Sequence, residues 1–340
     1  MVIRLSAMGD VAMTAPVLSG LIKDYPGIKV TLLTRKFFKP IFIDLDPVGI
    51  FEADVKGRHK GFFGLWKLYK ELKGLDIDMV ADLHNVLRSN ILKLYFKLGA
   101  IPFVQIDKGR KGKKALTSLT NKVFTPLKTT HLRYAEVFGK LGMSIDLDNV
   151  KSLPKRPIMP STEQLVGSKE TKWIGIAPFA AFDGKMYPMD LMEKVVGALN
   201  ESNGYKILLF GGGEKEKDEL NKWTDKFSNS INLVGKMTFE EELSIISQLD
   251  LMLAMDSGNA HLAALFGVPT LTLWGVTHPY AGFYPFGQNP THALLSDRKD
   301  YPLIPTSVYG NKYPPGYENA MRTISPEDVI QKIGEIMDNN

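Results

Sequence analysis

The residues best suited to chemistry lie in the run Asp256-Ser257-Gly258-Asn259-Ala260-His261-Leu262-Ala263-Ala264. The apolar run Leu251-Met252-Leu253-Ala254-Met255 leads into it and a helical pattern leaves it. At such a strand-to-helix junction, free backbone N–H groups and the positive end of the helix dipole converge, so a diphosphate can sit there. Gly258 lets the backbone approach an anion, and Asp256 and His261 offer bonds to a sugar or ribose hydroxyl. Asp and Ser are also ordinary helix N-cap residues. A second acid, Asp10, closes the loop Ser6-Ala7-Met8-Gly9-Asp10. Beyond a strand's carboxyl end, a carboxylate can take the proton of an attacking hydroxyl, although inert turns carry Gly-Asp pairs too. Lys185 follows the strand ending at Ala177 and can neutralise a departing diphosphate. Gly211-Gly212-Gly213-Glu214 reads as a tight turn, or as a nucleoside contact in which Glu214 accepts bonds from ribose. Lys108, Arg110, Lys111, Lys113 and Lys114 place five positive charges in seven residues, which points to an acidic ligand or to a solvated basic loop.

These side chains need elements to hold them. Val2-Ile3-Arg4-Leu5, Lys29 to Leu33 and Met79 to Leu83 read as strands, and residues 16–25, 89–98 and 129–141 as helices. This alternation is the sequence form of βαβ units and a parallel sheet. The pattern fails between 152 and 171, where Pro154, Pro157 and Pro160 cluster, and the domain boundary is placed there. A second series follows: strands at 173–177, 206–210, 251–255 and 269–274, with a helix at 191–199. The expected domains are 1–153 and 154–324, followed by a terminal helix from 325 to 340. Ser325-Pro326-Glu327-Asp328 opens that helix with an N-cap serine, a proline at the first position and early acids. Open α/β sheets bind ligands beyond the carboxyl ends of their strands, so the expected active site lies in a cleft between the two domains.

Composition sets limits. A chain of 340 residues exceeds what one core usually organises, and 44% apolar with 23% charged residues is ordinary for a globular protein. No apolar run approaches the roughly 18 to 20 residues needed to span a bilayer. The amino-terminal residues lack the features of a secretory signal. The absence of cysteine rules out disulfides, thiolate metal sites and a cysteine nucleophile, and it fits a reducing compartment. The expected location is therefore cytoplasmic, and peripheral contact at an inner membrane is compatible with it. A net charge of +5, with no aromatics interleaved in the basic run, argues against nucleic acid as a partner.

Taken in order, Arg4-Leu5-Ser6-x-x-Gly9-Asp10, Asp82-Leu83-His84 with Arg88-Ser89, Lys185-x-Tyr187-Pro188, Gly211-Gly212-Gly213-Glu214, Leu233-Val234-Gly235-Lys236, Asp256-Ser257-Gly258-x-x-His261-Leu262-Ala263 and Trp274-Gly275-Val276-Thr277-His278-Pro279 resemble the heptosyltransferases of glycosyltransferase family 9. The resemblance covers nearly the whole chain. It implies a GT-B fold, two Rossmann-like domains facing across a cleft. It also implies inverting transfer of a sugar from a nucleotide diphosphate, typically ADP-heptose, to an acidic lipid-linked glycan of the lipopolysaccharide core. By the same resemblance Asp10 is the base, Lys185 touches phosphate, and Asp256, Ser257 and Gly258 touch the donor together with Gly9 and His261. Glu214, Lys236 and Met237 lie near the nucleoside. The basic run, Arg110, Lys111, Lys113 and Lys114, is expected to receive the acceptor, with Arg88 beside it. Family relatives often carry cysteines in the region of 296–321, and this chain has none.

No cofactor and no metal are expected. Asp44-Leu45-Asp46, Asp76-Ile77-Asp78 and Asp146-Leu147-Asp148 have the Asp-x-Asp spacing of metal-dependent sugar transferases, but they fall in loops or just before a strand. The helix dipole and Lys185 can carry the diphosphate charge instead. Two other readings stand beside transfer: a nucleotide-sugar 2-epimerase on the same fold, and a noncatalytic binder of nucleotide sugar or glycan.

Overall fold

Two parallel sheets organise the chain in the computed structural model, which describes residues 1–339. The first comprises β1 (Val2–Ile3), β2 (Val30–Thr34), β3 (Val48–Glu52), β4 (Val80–Asp82) and β5 (Phe103–Gln105), in the order β3-β2-β1-β4-β5. Ile3 pairs with Leu33 on one side and Asp82 on the other, so β1 is central. The second comprises β6 (Lys172–Ala177), β7 (Tyr205–Leu209), β8 (Ser230–Asn232), β9 (Leu251–Met255), β10 (Thr270–Trp274) and β11 (Ala293–Leu295), in the order β11-β10-β9-β6-β7-β8. In both sheets the chain order reverses between two central neighbours, β1 and β4 in one, β6 and β9 in the other. These are the switch points at which open α/β sheets bind ligands.

Local chemistry explains the elements. β9 is apolar throughout and buried at every residue, because helices cover both faces of a parallel sheet. The helix Pro326–Asp338 starts where Ser325 and Asp328 cap each other's N–H groups reciprocally, and it buries Val329, Ile333, Ile336 and Met337 along one stripe. That stripe packs on the helix Met189–Glu201, so the terminal helix shares a core with β6, β7, β9 and β10. In the first sheet, the helices Gly61–Lys73 and Leu87–Lys97 pack side by side over Ile3, Leu33 and Val80. Periodicity assigns nothing between residues 35 and 78. The structure puts β3 and the helix Gly61–Lys73 there.

The described chain divides into two compact units, residues 1–108 with 128–152 and residues 109–127 with 153–339. A continuous first domain over 1–153 is therefore corrected for one segment. Residues 109–127 belong with the second unit because their side chains are satisfied there. Leu127 N–H donates to Tyr280 O (2.9 Å) and Lys122 Nζ to Pro305 O (2.7 Å). The Phe124 ring lies against His278 and Tyr280, with the Arg298 guanidinium 3.5 Å over its face.

Candidate functional site

In the second unit, the junctions after β6 and β9 bring Lys185 and Asp256 together. Lys185 lies in the 3-10 turn Asp183–Lys185, and its Nζ is 2.8 Å from Asp256 Oδ2 and 3.0 Å from Asp256 O. Thr277 Oγ1 donates to the same carboxylate oxygen at 3.0 Å. An ammonium has three protons, and these contacts use two of them. The third can meet an anion. Asp256 is buried, so the pair orients Lys185 firmly beside the helix Gly258–Leu265. Ser257 is the N-cap residue of that helix, yet its hydroxyl makes no capping bond, and Ser257 Oγ and Asn259 Oδ1 are buried without a partner. Buried polar atoms left open at a helix N-terminus fit a site awaiting a ligand. His261 is buried one turn into the same helix.

Close backbone packing fixes this corner. A Cβ on Gly275 would lie 2.3 Å from Gly184 O, and one on Gly310 would lie 2.5 Å from Lys185 Cγ. Val276 N–H donates to Gly184 O at 2.9 Å, which ties the segment after β10 to the Lys185 turn. Thr277, Gly184 and Gly310 were given no role on sequence grounds. Thr277 had a signal, since it sits in the Gly-x-Thr-x-Pro run after β10.

Glu214, Lys236 and Met237 lie at the carboxyl ends of β7 and β8, on the same edge of the sheet. Glu214 is exposed and bonds Lys217 at 3.3 Å. Glu216 is the acid that turns back on the glycines, accepting from Gly212 N–H at 2.7 Å. Gly235 takes a positive φ of 71°, which lets the chain turn into the capping box Thr238/Glu241 and leaves Lys236 exposed and Met237 half-buried.

In the first unit, Asp10 does not sit in an open loop. It lies in the short helix Met8–Ala12, and so does Gly9. Arg4, buried at the end of β1, reaches Asp10 Oδ2 at 2.5 Å and donates to Leu83 O at 2.6 Å. This leaves Asp10 Oδ1 available to a hydroxyl. Tyr134 O–H donates to Asp10 O at 3.3 Å, and burial pushes that phenol far above its ordinary value, so it stays a neutral donor. After β4, Asp82 Oδ1 accepts from His84 N–H and Asn85 N–H (2.9 and 3.0 Å), and its Oδ2 accepts from Gln105 Nε2 at 2.9 Å. Asp82 thus builds the turn that leads to Arg88, which is exposed. His84 Nε2 is 3.4 Å from Ser6 Oγ, and burial above all, aided by the positive charges of Arg4, Lys108 and Arg88, lowers the imidazole to about 3. The missed residue here is Arg4. A charge inside Val2-Ile3-Arg4-Leu5 was its signal.

The basic run forms the helix Arg110–Leu116, opened by Gly109 at a φ of 62°. It belongs to the second unit, which corrects its grouping with Arg88 in the first. Arg110, Lys111 and Lys114 are exposed, whereas Lys113 Nζ sits 4.0 Å from the Phe283 ring centre. Among the Asp-x-Asp pairs, Asp146 accepts from Asp148 N–H and Asn149 Nδ2, each at 2.9 Å, and so closes a turn. Among the described residues no three His, Asp or Glu side chains gather as metal ligands.

A sequence model of glycosyltransferase family 9 (heptosyltransferase) matches residues 65–306, well over half of the chain. The chain belongs to this family. It is thus a glycosyltransferase of the heptosyltransferase family. The lipopolysaccharide core heptosyltransferase OpsX of Haemophilus influenzae is 23% identical over 287 residues, 82% of this chain and 79% of that one. Among solved structures, the family 9 glycosyl transferase of Veillonella parvula superposes with a TM-score of 0.76 at 19% identity, covering 100% of this chain and 97% of that one. The Escherichia coli heptosyltransferase WaaC with ADP gives 0.69 at 20% identity, covering 98% of each. At these identities the structural likeness establishes the fold, which is GT-B.

Proposed function

We propose that this family 9 member transfers a heptose from ADP-heptose to a lipopolysaccharide-core acceptor in one inverting displacement. The observation that carries this reading is the corner after β6 and β9. There Lys185, held by Asp256 and Thr277, adjoins a helix N-terminus with open polar atoms. Such a corner suits a diphosphate leaving group. The relative solved with ADP and the relative named for the lipopolysaccharide core support the choice of donor and acceptor.

In the reaction the acceptor oxygen bonds to the anomeric carbon as the bond from that carbon to the diphosphate oxygen breaks. The hydroxyl proton passes to Asp10 Oδ1 late in the displacement, because a sugar hydroxyl is far less acidic than a carboxylic acid. ADP leaves with the negative charge, which Lys185 and the helix Gly258–Leu265 neutralise. Holding both substrates in line supplies much of the rate. Arg88, Arg110, Lys111 and Lys114 receive acceptor phosphates or acidic sugars, and Glu214, Lys236 and Met237 flank the nucleoside.

Family membership disfavours the epimerase and the noncatalytic binder, and product analysis separates all three. With ADP-heptose and a deacylated core acceptor, the transferase releases ADP and forms the elongated acceptor. With donor alone it forms no 2-epimer. Gly258→Asp sets bulk and negative charge where the diphosphate approaches, so it should abolish ADP binding in a folded protein. Undiminished ADP binding by that variant would move the donor site elsewhere.

A further inference from the structure

We infer that the outer surface of the helices Gly61–Lys73 and Leu87–Lys97 docks on an anionic lipid surface. Phe63 is 84% exposed, Phe62 60% and Trp66 37% on the first helix, while Leu87 at the start of the second and Leu98 at its C-cap are each 77% exposed. With Leu94, also exposed, Leu87 and Leu98 fall at spacings of seven and four, so they form one stripe along their helix. Tyr95, buried on the second helix, meets Phe62 at 5.8 Å and Trp66 at 4.9 Å, both edge-on, and so packs the two helices together beneath these side chains. Monomeric proteins seldom expose so many large apolar side chains on two adjacent helices without use for them.

The charge around it selects the occupant. The first helix carries Lys67, Lys70 and Lys73 against a single acid, Glu71, and Arg58 and His59 hold that acid at 3.1 and 3.2 Å. The second carries Arg88, Lys93 and Lys97 and no acid. Lys70 Nζ lies 5.7 Å from the Trp66 ring centre. Aromatic and aliphatic side chains ringed by lysines suit the boundary between headgroups and acyl chains, where apolar burial and attraction to anionic lipid add. A second copy of this chain would instead set lysines against lysines. No helix among the described residues is long and apolar enough to cross a membrane, so the contact is interfacial. Leu87 starts the stripe next to the Asp82–Asn85 turn, which brings the lipid surface beside Arg88. The surface chemistry carries this inference by itself, whichever acceptor the enzyme uses.

Cosedimentation of the full chain with vesicles tests it. Vesicles containing phosphatidylglycerol should bind the protein, less so as salt rises, and phosphatidylcholine vesicles should bind it weakly. Trp173, Trp223 and Trp274 are fully buried, so quenching by lipids brominated near the headgroup reports on Trp66. F63S/L94S/L98S alters only exposed positions and should lower vesicle affinity about tenfold or more. K67Q/K70Q/K73Q should remove most of the salt dependence. Transfer to a deacylated acceptor in solution should be unchanged in both variants, which separates failure of docking from failure of the transfer reading. Wild-type protein that stays with the supernatant, unquenched Trp66 in the bound protein, or equal binding by F63S/L94S/L98S overturns the inference. So does a concentration-dependent dimer that this variant abolishes, since the face would then belong to a second copy.

Discussion

Each unit holds its candidate residues with one ion pair, Arg4–Asp10 in the first and Lys185–Asp256 in the second, and the two pairs do different work. Arg4 holds one oxygen of Asp10 and leaves the other for a proton. Asp10→Asn keeps the size and most of the bonding but removes the basic oxygen. Turnover at saturating substrates should fall by about a hundredfold or more, the usual scale for a lost general base, with ADP affinity and melting temperature nearly unchanged. Normal turnover in that variant would return attention to His261 and Asp82. The Lys185–Asp256 pair is more enclosed, with side-chain exposures of 16% and 6%. Lys185→Met strands a buried carboxylate and should cost about 3 kcal/mol of stability as well as donor affinity. Adding Asp256→Leu should restore much of the stability but none of the affinity, as urea denaturation and ADP titration together would show. Additive losses in that double-mutant cycle would mean that the pair is not coupled.

At the scale of elements, the strand ends decide what the sequence reveals. Asp256-Ser257-Gly258 was legible because β9 is an unbroken apolar run and the helix after it starts at once. Lys185 was legible as a position after a strand, but its partner was not, since Asp256 lies 71 residues away and no periodicity reports such a contact. The helix Gly61–Lys73 escaped notice because Phe62, Phe63 and Trp66 break the usual division between an apolar and a polar face. The helix Arg110–Leu116 was legible as charge and not as place. The bonds of residues 122 and 127 to Pro305 and Tyr280, with the ring contacts of Lys113 and Phe124, place it in the second unit. Its lysines are also unequal. R110S/K111S/K114S should raise the acceptor Michaelis constant severalfold and weaken its dependence on salt, with ADP affinity unchanged. K113S should act chiefly on stability, losing about 1 kcal/mol or less with the contact to Phe283. Identical acceptor kinetics for the triple variant at low and high salt would leave this helix a solvated surface.

For the whole molecule, two buried histidines contribute to the loss of stability in acid. Burial, assisted by neighbouring positive charge, lowers His84 to about 3 and His278 to about 4. Both are neutral when folded, while the unfolded chain protonates them below the ordinary value of about 6.5. Their stabilisation is therefore complete above pH 6.5 and is lost as pH falls towards 4 and then 3. The loss between pH 7.5 and 5 is about 2 kcal/mol for each histidine. Urea midpoints for wild type and H84N/H278N across that range should converge in acid, and parallel curves would contradict the assignment. His278 is buried partly because Phe124 covers it, and Phe124 arrives on the segment 109–127 that leaves the first unit and lodges on the second. The polypeptide therefore passes between the units three times, at 108/109, 127/128 and 152/153. A growing chain emerging from the ribosome makes this strap about 150 to 180 residues before the ring and carbonyl it docks against, Tyr280 and Pro305. The strap must wait undocked until those residues are made, and a fragment ending at residue 152 would leave Phe124 and Lys113 without the rings they lie against, His278, Tyr280 and Phe283.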